Sequence, residues 1–265
     1  MKLFGKRVAP LVLALFVSPS VAQTNIESKI LKIKTPNEFA PGSGFIIGPD
    51  KRGKCILLTA RHVIIDGNGD KLSEVPIIFP NGKTRKVPHS SFFYPEDENL
   101  DLAAGLVPCQ SSLQLPLAKA SAVTISTKVR VVGYPADVHA QANLPPSTVT
   151  GRITKFSAAG QDAKLKGYDL SYSAPTKVGY SGGPVLNDDL SEIIAVHGYT
   201  FSVQPKPVKK PAEAPETDDV DEDDLRERLR VGGSGISSSV IYKFLKDNGY
   251  TMPRSDKAVC LVGTC

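Results

Sequence analysis

Three short stretches of this chain hold residue types that can do chemistry together. Leu57-Leu58-Thr59-Ala60-Arg61-His62-Val63 ends an apolar run and delivers a histidine at its exit. Asn99-Leu100-Asp101-Leu102-Ala103 opens an apolar run with an acid, which is then partly buried and needs partners. Gly179-Tyr180-Ser181-Gly182-Gly183-Pro184-Val185 sets a serine in a glycine-rich turn just ahead of a strand. A serine hydroxyl is a poor nucleophile near neutral pH, so a neighbouring imidazole must take its proton as it attacks. An acid must hold that imidazole in one tautomer and stabilise its charged form. His62, Asp101 and Ser181 are the catalytic candidates on this reasoning. The glycines let the backbone turn tightly, which makes the N–H groups of Gly179 and Ser181 the candidates for binding a developing oxyanion.

Such residues need a scaffold of short strands, and the composition supplies one. Gly (22) and Pro (21) make up about a sixth of the 265 residues, which favours many turns over a helix bundle. Residues 44–48 and 55–59 read as strands joined by a turn at 49–54. Residues 75–79 and 84–87 flank Asn81-Gly82 as a hairpin. Residues 101–107 form a further strand ended by Pro108, and the Ser-, Gln-, Pro- and Ala-rich stretch 109–121 reads as a linker. A second set of strands is expected at 128–132, 148–156, 169–173, 184–186 and 193–197. Only 238–246 reads as a helix, capped by serines and stopped by Asn248-Gly249. Two groups of short strands and one C-terminal helix suggest two small barrels.

Composition narrows the function classes further. Hydrophobic residues at 41% and charged ones at 22% exclude wholesale disorder. Lys2, Lys6 and Arg7 precede an apolar run at 8–17 broken only by Pro10, and Ser20-Val21-Ala22 offers a cleavage site before Gln23. Residues 1–22 thus read as a signal peptide, too short for a membrane span, and the protein as secreted or periplasmic. Removing those three basic residues lowers the net charge from +5 to +2. No Lys/Arg cluster interleaved with aromatics appears, so neither nucleic acid nor, after signal removal, a membrane is an expected partner. Cys55, Cys109, Cys260 and Cys265 read as two disulfides in an exported chain. Four cysteines allow three pairings; Cys55–Cys109 with Cys260–Cys265 is favoured. Their spacing beside His does not suit zinc, and no metal is expected. Residues 203–231 carry Pro205, Pro207, Pro211 and Pro215, then an acidic run at 218–224, then Arg226, Arg228 and Arg230. That composition cannot build a packed core and reads as a mobile insertion.

The order His, Asp, Ser along the chain excludes the subtilisin and α/β-hydrolase arrangements. Here the sequence resembles the trypsin-like (chymotrypsin-fold) serine peptidases, particularly their bacterial branch. Thr59-Ala60-Arg61-His62 resembles the family's Thr-Ala-x-His motif, Asp101-Leu102-Ala103 its Asp-Leu-Ala motif, and Gly179-Tyr180-Ser181-Gly182-Gly183-Pro184 its Gly-x-Ser-Gly-Gly-Pro motif. Gly42-Ser43-Gly44-Phe45-Ile46 resembles the opening strand of that branch. The likeness spans about 40–200 and returns at 232–249. It implies an all-β fold of two six-stranded antiparallel barrels with a C-terminal helix and the triad between the barrels. The barrels would take 23–115 and 116–202. The insertion 203–231 would follow, then the last strand and helix at 232–250 and a Cys-containing tail at 251–265. It implies protein or peptide substrates and no cofactor. Two departures stand out. Tyr180 replaces the aspartate of the animal digestive enzymes, so activation by a new N-terminal ammonium is not available. Gly198 follows His197 where many members place a serine that supports the catalytic aspartate.

In this fold the primary pocket is lined by residues just before the nucleophile and by a following strand, here 175–177 and 195–200. No acid lies in either segment, which disfavours a pocket for Arg or Lys. The region resembles the glutamyl endopeptidases of the staphylococcal V8 and exfoliative-toxin type. Those place a Thr or Ser about five residues before the nucleophile and a His on the following strand. Tyr168-Asp169-Leu170-Ser171 also resembles their preceding strand. A substrate carboxylate entering a pocket needs hydrogen-bond donors, and Thr176, His197 and Thr200 are the substrate-binding candidates. Lys177 is a further positive group, and His197 reads equally as an ordinary strand histidine. The insertion leaves the chain just after Thr200 and is placed to shield the cleft. The alternative reading is a catalytically inactive trypsin-like fold that acts as a protein-binding module.

Overall fold

The computed structural model describes residues 25–36, 40–49, 53–65, 68–118, 124–136, 144–156, 167–203 and 230–250. The expected signal peptide 1–22, the tail 251–265 with its Cys260–Cys265 pair, and positions 204–229 of the expected insertion lie outside them.

Runs such as Phe45-Ile46-Ile47 and Ile56-Leu57-Leu58 are apolar without alternation, the pattern of strands covered on both faces. They lie on β2 (Gly42–Pro49) and β3 (Lys54–Thr59), central strands of the first sheet. One face, with Ile46 and Leu57, joins Leu31, Ile33, Val75, Ile77 and Val107 inside the first barrel. The other, with Phe45, Ile47, Ile56 and Leu58, joins Val132, Leu186, Val196 and Ile236 of the second barrel and Ile241, Phe244 and Leu245 of the C-terminal helix. The two barrels therefore share an apolar seam.

The first sheet also contains β1 (Ile30–Ile33), β4 (Glu74–Ile78), β5 (Thr84–Pro88), β6 (Phe92–Phe93), β7 (Ala103–Pro108) and β8 (Gln114–Leu115). Its order is β5-β4-β1-β2-β3-β7-β6, with β8 running parallel to β2. The sheet has eight strands in all, six of four residues or more and the two-residue β6 and β8, and as a barrel it is nearly but not fully closed. Gly82, at φ +77°, turns the β4–β5 hairpin where Asn81-Gly82 signalled it. Cys55 and Cys109 are joined, as expected, across 54 positions at the β3–β7 edge.

The second sheet is a closed barrel in the order β10-β11-β14-β13-β12-β9. Its strands are β9 (Lys128–Gly133), β10 (Ser147–Phe156), β11 (Leu170–Tyr172), β12 (Pro184–Asn187), β13 (Ile193–Val203) and β14 (Arg230–Ser237). The all-β, two-barrel architecture is the one expected.

Some expected bounds change. Residues 109–121 were expected as a linker, yet Leu113, Leu115, Leu117 and Ala118 are buried and β8 pairs with β2. Their period-2 apolar spacing outweighs the polar residues between them. The expected insertion 203–231 is shorter at both ends, because β13 and β14 stay paired out to Val203 and Arg230. The C-terminal helix spans Ser238–Asp247. Ser237 at its N-cap donates its N–H and hydroxyl to the Asp169 carboxylate, at 2.7 and 2.5 Å. Asn248 and Gly249 (φ +78°) close it, as their types foretold.

Candidate active site

β3 ends at Thr59, and Ala60 leads into the single helical turn Arg61–Ile64, which we label α1. Val63 and Ile64 are buried on that turn, while the His62 side chain stays 36% exposed. Asp101 was expected to open its strand; β7 starts two residues later, at Ala103. The reason lies in its carboxylate, which is committed elsewhere. Oδ1 accepts the His62 backbone N–H at 2.8 Å and Oδ2 faces His62 Nδ1 at 2.6 Å. One carboxylate thus holds both the backbone and the ring of the same histidine. Nδ1 carries the proton in this pairing, which leaves Nε2 as the basic nitrogen. Tyr168 donates its hydroxyl to Asp101 Oδ2 at 2.5 Å. Burial alone would push the Asp101 carboxyl upward. The His62 ring, the Tyr168 hydroxyl and the His62 N–H outweigh that and hold it below the usual carboxylate value.

The serine turn is fastened to the first barrel by Ser43 of β2. Ser43 N–H donates to the Ser181 carbonyl at 2.8 Å. Ser43 Oγ donates to the Gly179 carbonyl at 2.7 Å and accepts the Tyr134 N–H at 2.8 Å. Gly182, at φ +84°, lies so close that a Cβ there would meet Thr59 Oγ1 at 2.1 Å and the Ser43 carbonyl at 2.2 Å. The turn therefore abuts the end of β3, just ahead of His62. Within it, the N–H groups of Tyr180, Gly182 and Gly183 donate to the carbonyls of Lys177, His197 and Tyr180. Those of Gly179 and Ser181 have no acceptor among the described residues. Ser181 Oγ donates to the Gly198 carbonyl at 3.3 Å, and no bond joins it to His62. Tyr180, where an acid was notable by its absence, is buried in the second barrel with its hydroxyl on Ser147.

The three substrate-binding candidates form one hydrogen-bonded line. Thr176 Oγ1 lies 2.9 Å from Thr200 Oγ1, and Thr200 Oγ1 lies 3.4 Å from His197 Nε2. His197 Nδ1 lies 2.5 Å from the hydroxyl of Tyr172. His197 is fully buried, and its backbone brackets the serine turn through Gly182 and Gly183. Burial first, and the charge of His62 second, pull its pKa down to about 3, so it is neutral. Lys177 is exposed. The expected shielding segment falls on residues outside those described.

Three residues of the site escaped the sequence reading: Ser43, Tyr168 and Tyr172. Ser43 was legible only as part of a Gly-Ser-Gly strand. Tyr168 entered only as part of a motif likeness. Its one signal was the missing side chain at Gly198, since a buried Asp101 must find its partners somewhere.

A double β-barrel with a histidine–aspartate pair on one barrel and a serine turn of the other against it defines a trypsin-like serine peptidase. The profile described as trypsin-like peptidase domain matches residues 42–196, and the chain belongs to that family. Among solved structures, it is similar to one described as the crystal structure of the serine endoprotease from Yersinia pestis. The identity is 17%, the TM-score is 0.52, and 84% of this chain is covered. The chain spans 65% of that protein's length, just under two thirds. At that identity the likeness speaks for the fold. No curated protein matches the chain.

Proposed function

We propose that this protein is an exported serine endopeptidase working through His62, Asp101 and Ser181. Ser181 Oγ attacks a peptide carbonyl while His62 Nε2 takes its proton. His62 then passes that proton to the leaving amine, and water repeats the cycle on the acyl-enzyme. Asp101 keeps Nδ1 protonated throughout. The observation that carries the reading is the double grip of Asp101 on His62, which fixes one tautomer with Nε2 free to act as base. That the N–H groups of Gly179 and Ser181 have no acceptor among the described residues supports the reading in which they receive the oxyanion. Ser181 must leave the Gly198 carbonyl for His62 as substrate enters; such bonds often tighten only in the substrate complex.

The same reading gives the pocket a preference for glutamate. The line Thr176–Thr200–His197–Tyr172 offers hydroxyls and a neutral imidazole to a carboxylate, with no acid in 175–177 or 195–200 to repel it. With Tyr172 donating to Nδ1, His197 keeps its proton on Nε2, toward Thr200. Export is supported by the leader pattern at 1–22 and by the Cys55–Cys109 disulfide, a bond that persists in oxidising compartments.

A second reading, a binding module that kept the fold, draws on the Ser181–Gly198 bond, which leaves the hydroxyl away from His62. A fluorophosphonate probe separates the two. The enzyme labels at Ser181, and Ser181→Ala loses about 10⁶-fold in turnover because such residues act as a unit. An unlabelled serine, or a loss under about tenfold, rejects the peptidase reading.

A further inference from the structure

We propose that Tyr168 is a positioning residue for this reaction: its hydroxyl fixes the Asp101 carboxylate, and Gly198 exists to let its ring reach there. The inference rests on the triad reading above and deepens it.

Asp101 Oδ2 meets two groups, the His62 ring at 2.6 Å and the Tyr168 hydroxyl at 2.5 Å. Oδ1 meets the His62 N–H at 2.8 Å. A carboxylate bonded on both oxygens from two directions cannot rotate about its terminal bond without breaking one of them. Tyr168 supplies the constraint that does not come from His62 itself. The hydroxyl sits beside Asp101, which burial and the hydrogen bond make a poor place for a phenolate, so it stays a donor. Asp101 is 4% and Tyr168 8% exposed, so water is a weak substitute.

Tyr168 is also held from behind. The next residue, Asp169, is tied by its N–H to the Gly235 carbonyl and by its carboxylate to Ser237. The ring fills the space that a side chain at 198 would need. A Cβ on Gly198 would lie 2.1 Å from Tyr168 Cε1, 2.5 Å from Cζ and 2.7 Å from Oη. The two positions are therefore exclusive: a tyrosine at 168 demands glycine at 198. With the ring removed, a serine at 198 would set its own hydroxyl in the volume that the Tyr168 hydroxyl now occupies. Gly198 also offers its carbonyl to Ser181, so one residue serves both ends of the site.

No proton leaves Tyr168 in this scheme. It keeps the negative end of Asp101 aimed at Nδ1 while His62 gains and loses charge, which affects turnover rather than substrate binding.

The experiment is steady-state kinetics on one peptide substrate for the native protein, Ser181→Ala, Tyr168→Phe, Tyr168→Ala, and Tyr168→Ala with Gly198→Ser. Thermal melts accompany each. Removing this hydrogen bond to a charged group loosens the Asp101 carboxylate, so Tyr168→Phe should lower kcat about tenfold while KM stays within about twofold. The double variant should recover part of the kcat that Tyr168→Ala loses. Native kcat in Tyr168→Phe, or a loss in KM alone, overturns the proposal. If Tyr168→Phe melts early, the Tyr168→Ala pair decides: recovery supports the role and no recovery overturns it. Activity that survives Ser181→Ala would instead remove the triad reading itself.

Discussion

His197 shows how a single side chain can tie a pocket to the stability of the fold. It is neutral because burial, then the charge of His62, lowers its pKa from 6.5 to about 3. Above pH 6.5 neither the native nor the unfolded chain protonates it, and its contribution to stability is fully present. Between 6.5 and about 3 the unfolded chain takes up a proton that the native one refuses. Stability should then fall by about 1.4 kcal/mol per pH unit from this residue alone. His197→Gln should flatten that slope, read as the change in melting temperature between neutral and acid pH against the native protein. A native-like slope in the variant would place the acid sensitivity elsewhere. At this scale the sequence was informative where a residue's candidacy rests on its own motif, as those of His62, Asp101 and Ser181 do. It was silent where one acts through a partner far along the chain. Tyr172 lies 25 positions from His197 and Tyr168 lies 67 from Asp101, so no local pattern joins them.

The elements matter through the way they meet. β2 carries Ser43 to the serine turn, and three hydrogen bonds there connect the two barrels at the site. Ser43 is fully buried, so Ser43→Ala leaves the Gly179 carbonyl without its donor and the Tyr134 N–H without its acceptor. Each orphaned group costs about 1–3 kcal/mol. A lower urea midpoint together with reduced kcat is the expected result, because Gly179 is one side of the proposed oxyanion site. Full activity with lowered stability would show that the clasp supports the fold without aligning the turn. Strands with clear boundaries were readable: the Asn81-Gly82 hairpin and the runs at 44–48 and 55–59 appear where expected. The buried stretch 113–118 was hidden by polar neighbours, and β1 gave too short a run to be noticed.

For the whole molecule, two barrels sharing one apolar seam bring together segments far apart in sequence: Asp101 bonds His62 from 39 positions away, and the turn that holds Ser181, 80 positions beyond Asp101, abuts the end of β3 just ahead of His62. The Cys55–Cys109 bond braces the first barrel across 54 positions, and its reduction should cost about 2–4 kcal/mol. Denaturant midpoints with and without reductant measure it; equal midpoints would mean that the bond constrains nothing. The two-barrel plan was legible because the motifs carried a family likeness, whereas the course of the β13–β14 hairpin was not, because its connection has no core-forming pattern. The most direct test of the account is a peptide-library digest read by mass spectrometry, with the native protein beside its Ser181→Ala variant. The account predicts cleavage after glutamate by the native protein and none by the variant. Identical cleavage by both, or none by either, would contradict it.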